Sequence, residues 1–170
     1  MTAYVALLRA VNVGGTGKLP MSELKAQCEA LGFSNVRTYI ASGNVVFHAQ
    51  ASADAIKAAL AAALHDYAGK PVGVVVRTAA EMAAVLDANP FAREAPNRTV
   101  AIFLDKAPPE DLIESISGRN DEKVAPGKRE IYVHYGQGMA NSKLKIPAAR
   151  DGTARNINTI ATLAQWAAQT

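Results

Sequence analysis

The spacing of apolar positions changes several times along the chain, and each change marks an element. Residues Ala3–Val11 are almost continuously apolar, with Arg9 the exception. That pattern predicts a strand buried on both faces. A glycine-rich loop follows, and Pro20 then opens a helix. Leu24, Cys28 and Leu31 recur at helical spacing, and Gly32 ends it. Residues Asn35–Ala41 and Asn44–His48 alternate around Ser42-Gly43, which predicts a β-hairpin. In the alanine-rich stretch Ala53–Tyr67, the residues Ile56, Leu60, Leu64 and Tyr67 form one helical stripe. Gly69-Lys-Pro71 breaks it, and Val72–Arg77 reads as another strand.

The order is therefore βαββαβ within the first 77 residues, the ferredoxin-like split βαβ arrangement. A ferredoxin-like sheet standing alone leaves one face open. The first strand is too apolar for that, so the rest of the chain is expected to cover it. Thr78 is placed to cap a helix carrying Met82, Val85 and Leu86, and Asn89-Pro90 ends that helix. Thr99–Asp105 predicts a strand. Pro108-Pro109 predicts the start of a helix through Leu112, Ile113 and Ile116, stopped by Gly118. Lys123–Pro126 and Glu130–Tyr135 form an expected strand pair, and Asn158–Gln169 an expected closing helix. The fold class is α+β: a ferredoxin-like half over residues 1–78, packed on a smaller α/β half over residues 79–170. No internal repeat is visible in the sequence.

Charge sharpens this picture. The net charge is +3, but the stretch Lys123–Arg155 carries seven cations against Glu130 and Asp151. That stretch is +5 and the remainder −2, an asymmetry that suits either an anionic partner or a solubilising face. Cys28 is the single cysteine, which rules out an intrachain disulfide and fits a reducing cytoplasm. Met1–Arg9 lacks the basic and cleavage-site pattern of a signal peptide, and no apolar run is long enough to span a bilayer.

Three polar segments at element boundaries are the candidates for binding. They are Asn12–Lys18, Arg37–Asn44 and Thr153–Asn156. Backbone N–H groups at such places can cradle an anion. The residues that would do so are Asn12, Gly14 and Gly15, then Arg37, Ser42 and Asn44, then Arg155 and Asn156. The glycine loop is not a P-loop, because Leu19 follows Lys18 where a magnesium-binding Ser or Thr is needed, and Asn12 replaces the first glycine. Ser42-Gly43 suits a turn, and neither His48 nor His65 is spaced as its base. Ser142-Lys-Leu-Lys145 matches S-x-x-K, without the companion motifs of a penicillin-binding site. The three histidines lie far apart, so neither a metal nor another cofactor is expected. Thr153, Asn156 or Asn158 suffices to cap the last helix. Arg155 opposes its dipole and makes more sense beside an anion. Cys28 and Trp166 suit packing roles.

The chain resembles the bacterial family of domain of unknown function 1697. The likeness runs through Tyr4–Gly15, Met21 with Leu24, Gly32-Phe33, Val36–Tyr39, Ser42–Phe47, Val76–Thr78, Asn89–Phe91, Arg129–Tyr132 and Thr153–Asn156. Ala10 departs from it, where glycine is usual in the family. The resemblance implies a compact cytoplasmic α+β protein with two related small subdomains; it carries fold and not function. Three functions follow as expectations: a binding module for a nucleotide, phosphate or RNA; a metal-independent enzyme with a polar cleft between the halves; or an oligomeric partner protein.

Overall fold

A first sheet of four strands carries the N-terminal half of the protein. In this computed structural model, residues 1–9, 19–40, 42–139 and 142–169 are described. The elements are β1 (Thr2–Leu8), α1 (Met21–Ala30), β2 (Ser34–Tyr39), β3 (Asn44–Ala49), α2 (Ala53–Ala68) and β4 (Val74–Thr78). The sheet order is β2-β3-β1-β4, and every neighbouring pair is antiparallel. This is the ferredoxin-like order that the βαββαβ pattern predicted, with the first and fourth strands adjacent.

Strand alternation explains its two faces. Tyr4, Ala6 and Leu8 point to one side with Val45, Phe47, Val74 and Val76, and pack with Leu24, Cys28, Ile56, Leu60 and Leu64 of the two helices. Val5 and Leu7 point to the other side and are fully buried, so β1 is covered on both faces. Ser52 caps α2 by accepting from the Ala55 N–H, and Gly69 ends that helix in the left-handed conformation at φ 73°. Thr78 and Glu81 form a reciprocal capping box on α3 (Ala79–Asp87). The Thr78 Oγ1 accepts from the Glu81 N–H at 3.1 Å, and Glu81 accepts from the Thr78 N–H at 2.9 Å.

A second antiparallel sheet follows, built from β5 (Thr99–Phe103), β6 (Lys123–Pro126), β7 (Glu130–His134) and β8 (Thr153–Asn156), in the order β6-β7-β5-β8. The closing helix α4 spans Ile157–Ala168. One face of this sheet holds Val100, Ile102, Ile131 and Val133, which pack with Leu112. Two compact units result, Met1–Ala83 with Thr162–Thr170, and Ala84–Ala161.

The second sheet repeats the first in both order and register. In β1 and β3, Ala3 faces His48 and Leu7 faces Asn44; in β5 and β7, Thr99 faces His134 and Phe103 faces Glu130. Val5 pairs with Arg77, as Ala101 pairs with Arg155. The bond from the Leu8 N–H to the Gly43 carbonyl recurs as Leu104 N–H to Arg129, both at 2.8 Å. Two sheets of like strand order and register are thus present, although no repeat was visible in the sequence.

The repeat differs where helices are concerned. The helix expected after Pro108-Pro109 does not form; residues 110–115 make successive turns instead. The Ser115 hydroxyl donates to the Leu112 carbonyl at 2.8 Å, offering the backbone a local alternative. After β7 the described residues form turns, bends and one 3₁₀ turn, Pro147–Ala149, where the first unit has α2.

Candidate functional site

Asn12, Gly14 and Gly15 of the predicted anion loop lie outside the described residues. Ser42 and Asn44 come together at the β2–β3 connection. Asn44 is fully buried, and its Nδ2 donates to the Tyr39 carbonyl and to Ser42 Oγ, both at 2.9 Å. These bonds close the turn. A buried amide left unsatisfied costs roughly 1–3 kcal/mol, so the geometry of Asn44 serves the hairpin first. Gly43 adopts φ 88°, which suits glycine, but Ile40 adopts φ 49°, a strained conformation for a β-branched residue. Ile40 is also exposed.

Arg37 lies two residues before Tyr39 on β2, so both point to the same face of the strand. That face meets the end of α4. The Arg37 guanidinium carbon sits 3.8 Å from the centre of the Trp166 ring. Tyr39 meets the same indole edge-on, with ring centres 5.3 Å apart. Arg37 Nη1 also reaches Gln169 Oε1 at 3.5 Å. Arg37 is exposed, while Tyr39 and Trp166 are half-buried. A guanidinium, an indole and a phenol therefore form one cluster at the surface of the first unit. Sequence reasoning identified Arg37 but assigned Trp166 to packing. No motif links the two, because the pairing depends on where α4 ends against β2.

Arg155 and Asn156 belong to the second unit. Asn156 Oδ1 accepts from the Thr159 N–H at 2.9 Å and is the cap of α4, one of the three caps the sequence allowed. Arg155 is half-buried on β8, and its Nη1 donates to the Ala154 carbonyl at 2.9 Å. Removal from water disfavours its charged form and lowers its pKa to about 10. Cys28 is fully buried in the first core, and desolvation followed by the nearby Glu29 carboxylate raises its thiol pKa to about 12. A thiol held neutral in this way packs and does not react.

His134 is buried in the second unit, with Nδ1 2.9 Å from Thr99 Oγ1 and Nε2 3.4 Å from Glu94, which also pairs with Lys123 at 3.0 Å. Among the described residues, no group of histidine, cysteine and carboxylate side chains is placed to hold a metal. No helix among them is long and apolar enough to cross a membrane.

These features define an α+β protein with a ferredoxin-like unit, a register-matched second unit, and an exposed arginine–aromatic cluster. Residues 1–132 match the family described as protein of unknown function DUF1697, and the chain belongs to that family. None of the curated proteins matches it. Among solved structures, the conserved bacterial protein SP0830 from Streptococcus pneumoniae is similar, with a TM-score of 0.78 and 24% sequence identity, the match covering 98% of each chain. That likeness concerns the fold.

Proposed function

We propose that this protein binds an anionic ligand, a nucleotide or a short single-stranded RNA, at the cluster of Arg37, Tyr39 and Trp166. The observation that carries this reading is the exposed Arg37 guanidinium stacked 3.8 Å over the Trp166 ring. Stacked arginine keeps its charge and donors available at its edge while its face is satisfied by the indole. A phosphate can take the edge donors, and a base can stack on exposed aromatic surface nearby. The exposed Ile40 adds apolar surface at the end of the same strand. Asn44 and Ser42 hold the connection that fixes Tyr39, so they act as supports of the cluster.

Trp166 is the single tryptophan, which makes the test direct. Its fluorescence is followed while adenosine monophosphate or an oligouridylate is titrated into the protein at low salt. Saturable quenching is expected, and Arg37→Ala should shift it to higher ligand concentration while leaving the melting temperature nearly unchanged, because Arg37 is exposed. No fluorescence response and no calorimetric heat with either probe would end the proposal.

A further inference from the structure

The second unit contains a polar pocket of about 350 Å³ that the binding reading above does not use. Its lining comes from the two segments that replace α1 and α2 in the repeat: Gly118 and Asn120 to Glu122 from the first, and residues 137, 138, 142 and 143 from the second. The segments are joined by close backbone packing. Ser117 and Lys145 exchange backbone hydrogen bonds at 3.1 and 2.8 Å. At Gly118, φ is +69°, and a Cβ there would overlap the Lys143 carbonyl. At Gly136, a Cβ would fall 2.5 Å from an Asp121 carboxylate oxygen. Glycine is required at both places for the segments to approach.

One hydrogen-bond chain fixes the charge at the base. Glu122 is only 4% exposed. Its Oε1 accepts from the Asn120 N–H at 2.6 Å, and its Oε2 accepts from the Ser142 hydroxyl at 2.5 Å. The Ser142 oxygen in turn accepts from the Leu144 N–H at 3.2 Å. These bonds, led by the one from Ser142, lower the Glu122 pKa and keep it ionised. Ser142 therefore answers to Glu122, and residues 142–145 are not helical, so the S-x-x-K pattern lacks the helical turn that would align it.

The lining side chains are all polar. Asp121 and Glu122 supply negative charge and Lys143 a positive charge, with the Asn120 and Gln137 amides in the same lining. Among the described residues, no ion pair joins Lys143 to either carboxylate. A lining that holds Asp121, Glu122 and Lys143 together, with no ion pair between Lys143 and either carboxylate, suits a ligand that carries both signs of charge. We propose that this pocket binds a small zwitterion of the free α-amino acid class, its ammonium toward Asp121 and Glu122 and its carboxylate toward Lys143. The volume, at the lower end for small-molecule sites, suits a compact metabolite.

The full chain is titrated calorimetrically with the proteinogenic α-amino acids. The best binder is then compared with its methyl ester and its N-acetyl derivative. Each derivative loses one charge-assisted contact and should bind at least about tenfold more weakly. Lys143→Met, at an exposed side chain, should erase the difference between acid and ester. Glu122→Gln should erase the difference between free and acetylated amine; if that variant does not fold, the derivatives and Lys143→Met still decide. The proposal is overturned if no amino acid binds, if either derivative binds as well as its parent, or if Lys143→Met leaves the acid–ester ratio intact.

Discussion

Arg77 and Arg155 hold the same place in two sheets of one register. Each faces the middle of the first strand of its sheet, Arg77 opposite Val5 and Arg155 opposite Ala101. Each immediately precedes the residue that caps the following helix, Thr78 for α3 and Asn156 for α4. Each turns its Nη1 back to the carbonyl of the residue before it, Val76 at 3.3 Å and Ala154 at 2.9 Å. The arginine that the sequence presented as an anion ligand in Thr153–Asn156 thus has a counterpart deep in the first unit. Arg77 is 2% exposed, which suits a structural role. The shared geometry explains why a cation stands next to a helix N-terminus: on an extended strand its side chain is directed over the sheet and not along the helix axis.

That equivalence predicts graded effects on stability. Arg77→Ala should cost roughly 3 kcal/mol, because it empties a fully buried site. Arg155→Ala should cost less, about 1–2 kcal/mol, because the residue is only half-buried. Urea denaturation of both variants measures the pair. An Arg155→Ala protein as stable as the parent would show that the second arginine has left the structural role of the first.

Asn44 gives a second test of support against binding. With its Nδ2 committed to the Tyr39 carbonyl and Ser42, Asn44→Ala should destabilise the protein by roughly 1–3 kcal/mol. Asn44→Asp keeps the size but loses the donor and should be no better tolerated. Thermal melts that leave either variant at the parent value would sever Asn44 from the turn.

The first unit was legible because each of its boundaries carries its own chemical mark. Pro20 stands before α1, Ser52 and Gly69 bracket α2, and Thr78 with Glu81 opens α3. The second unit was less so. Pro108-Pro109 resembles a helix start, yet the Ser115 hydroxyl competes for a backbone carbonyl within the segment. The repeat escaped detection because it is written in register and hardly in residue identity. Leu8 and Leu104, His48 and His134, and Arg77 and Arg155 agree, while the positions around them differ. The contacts of Arg37 with Trp166, and of Glu122 with Ser142, join segments distant in sequence, and no local pattern announces them.

Cys28 predicts an alkaline signature. Its thiol pKa rises from 9.0 to about 12 on folding, so between those values the unfolded chain loses a proton that the folded protein keeps. The folded state then binds more protons, and stability falls as pH rises. The contribution is fully present below pH 9 and is lost between pH 9 and about 12. The expected slope is about 1.4 kcal/mol per pH unit. Cys28→Ala should lie below the parent near pH 8, because it leaves a cavity, but should lose less as the pH rises. Parallel curves for the two proteins would contradict burial of the thiol. Native protein should also react slowly with a thiol reagent and quickly once unfolded.

The last prediction separates charge from stacking at the Arg37–Trp166 cluster. A phosphate contact releases counterions, so binding of an oligouridylate should weaken as salt rises, with a slope set by the number of contacts. Arg37→Ala removes one such contact and should reduce that slope by about one. Arg37→Lys keeps the charge but loses the flat guanidinium that lies 3.8 Å over the indole. It should therefore restore most of the salt dependence but little of the affinity that comes from ordering the site. Trp166→Phe preserves a ring and should weaken binding at all salt concentrations without changing the slope, since stacking releases no counterions. If Arg37→Ala leaves the slope unchanged while affinity falls, the arginine only props the indole, and the phosphate is held elsewhere. If Trp166→Phe changes the slope as much as Arg37→Ala does, the two residues do not divide the work as their geometry implies.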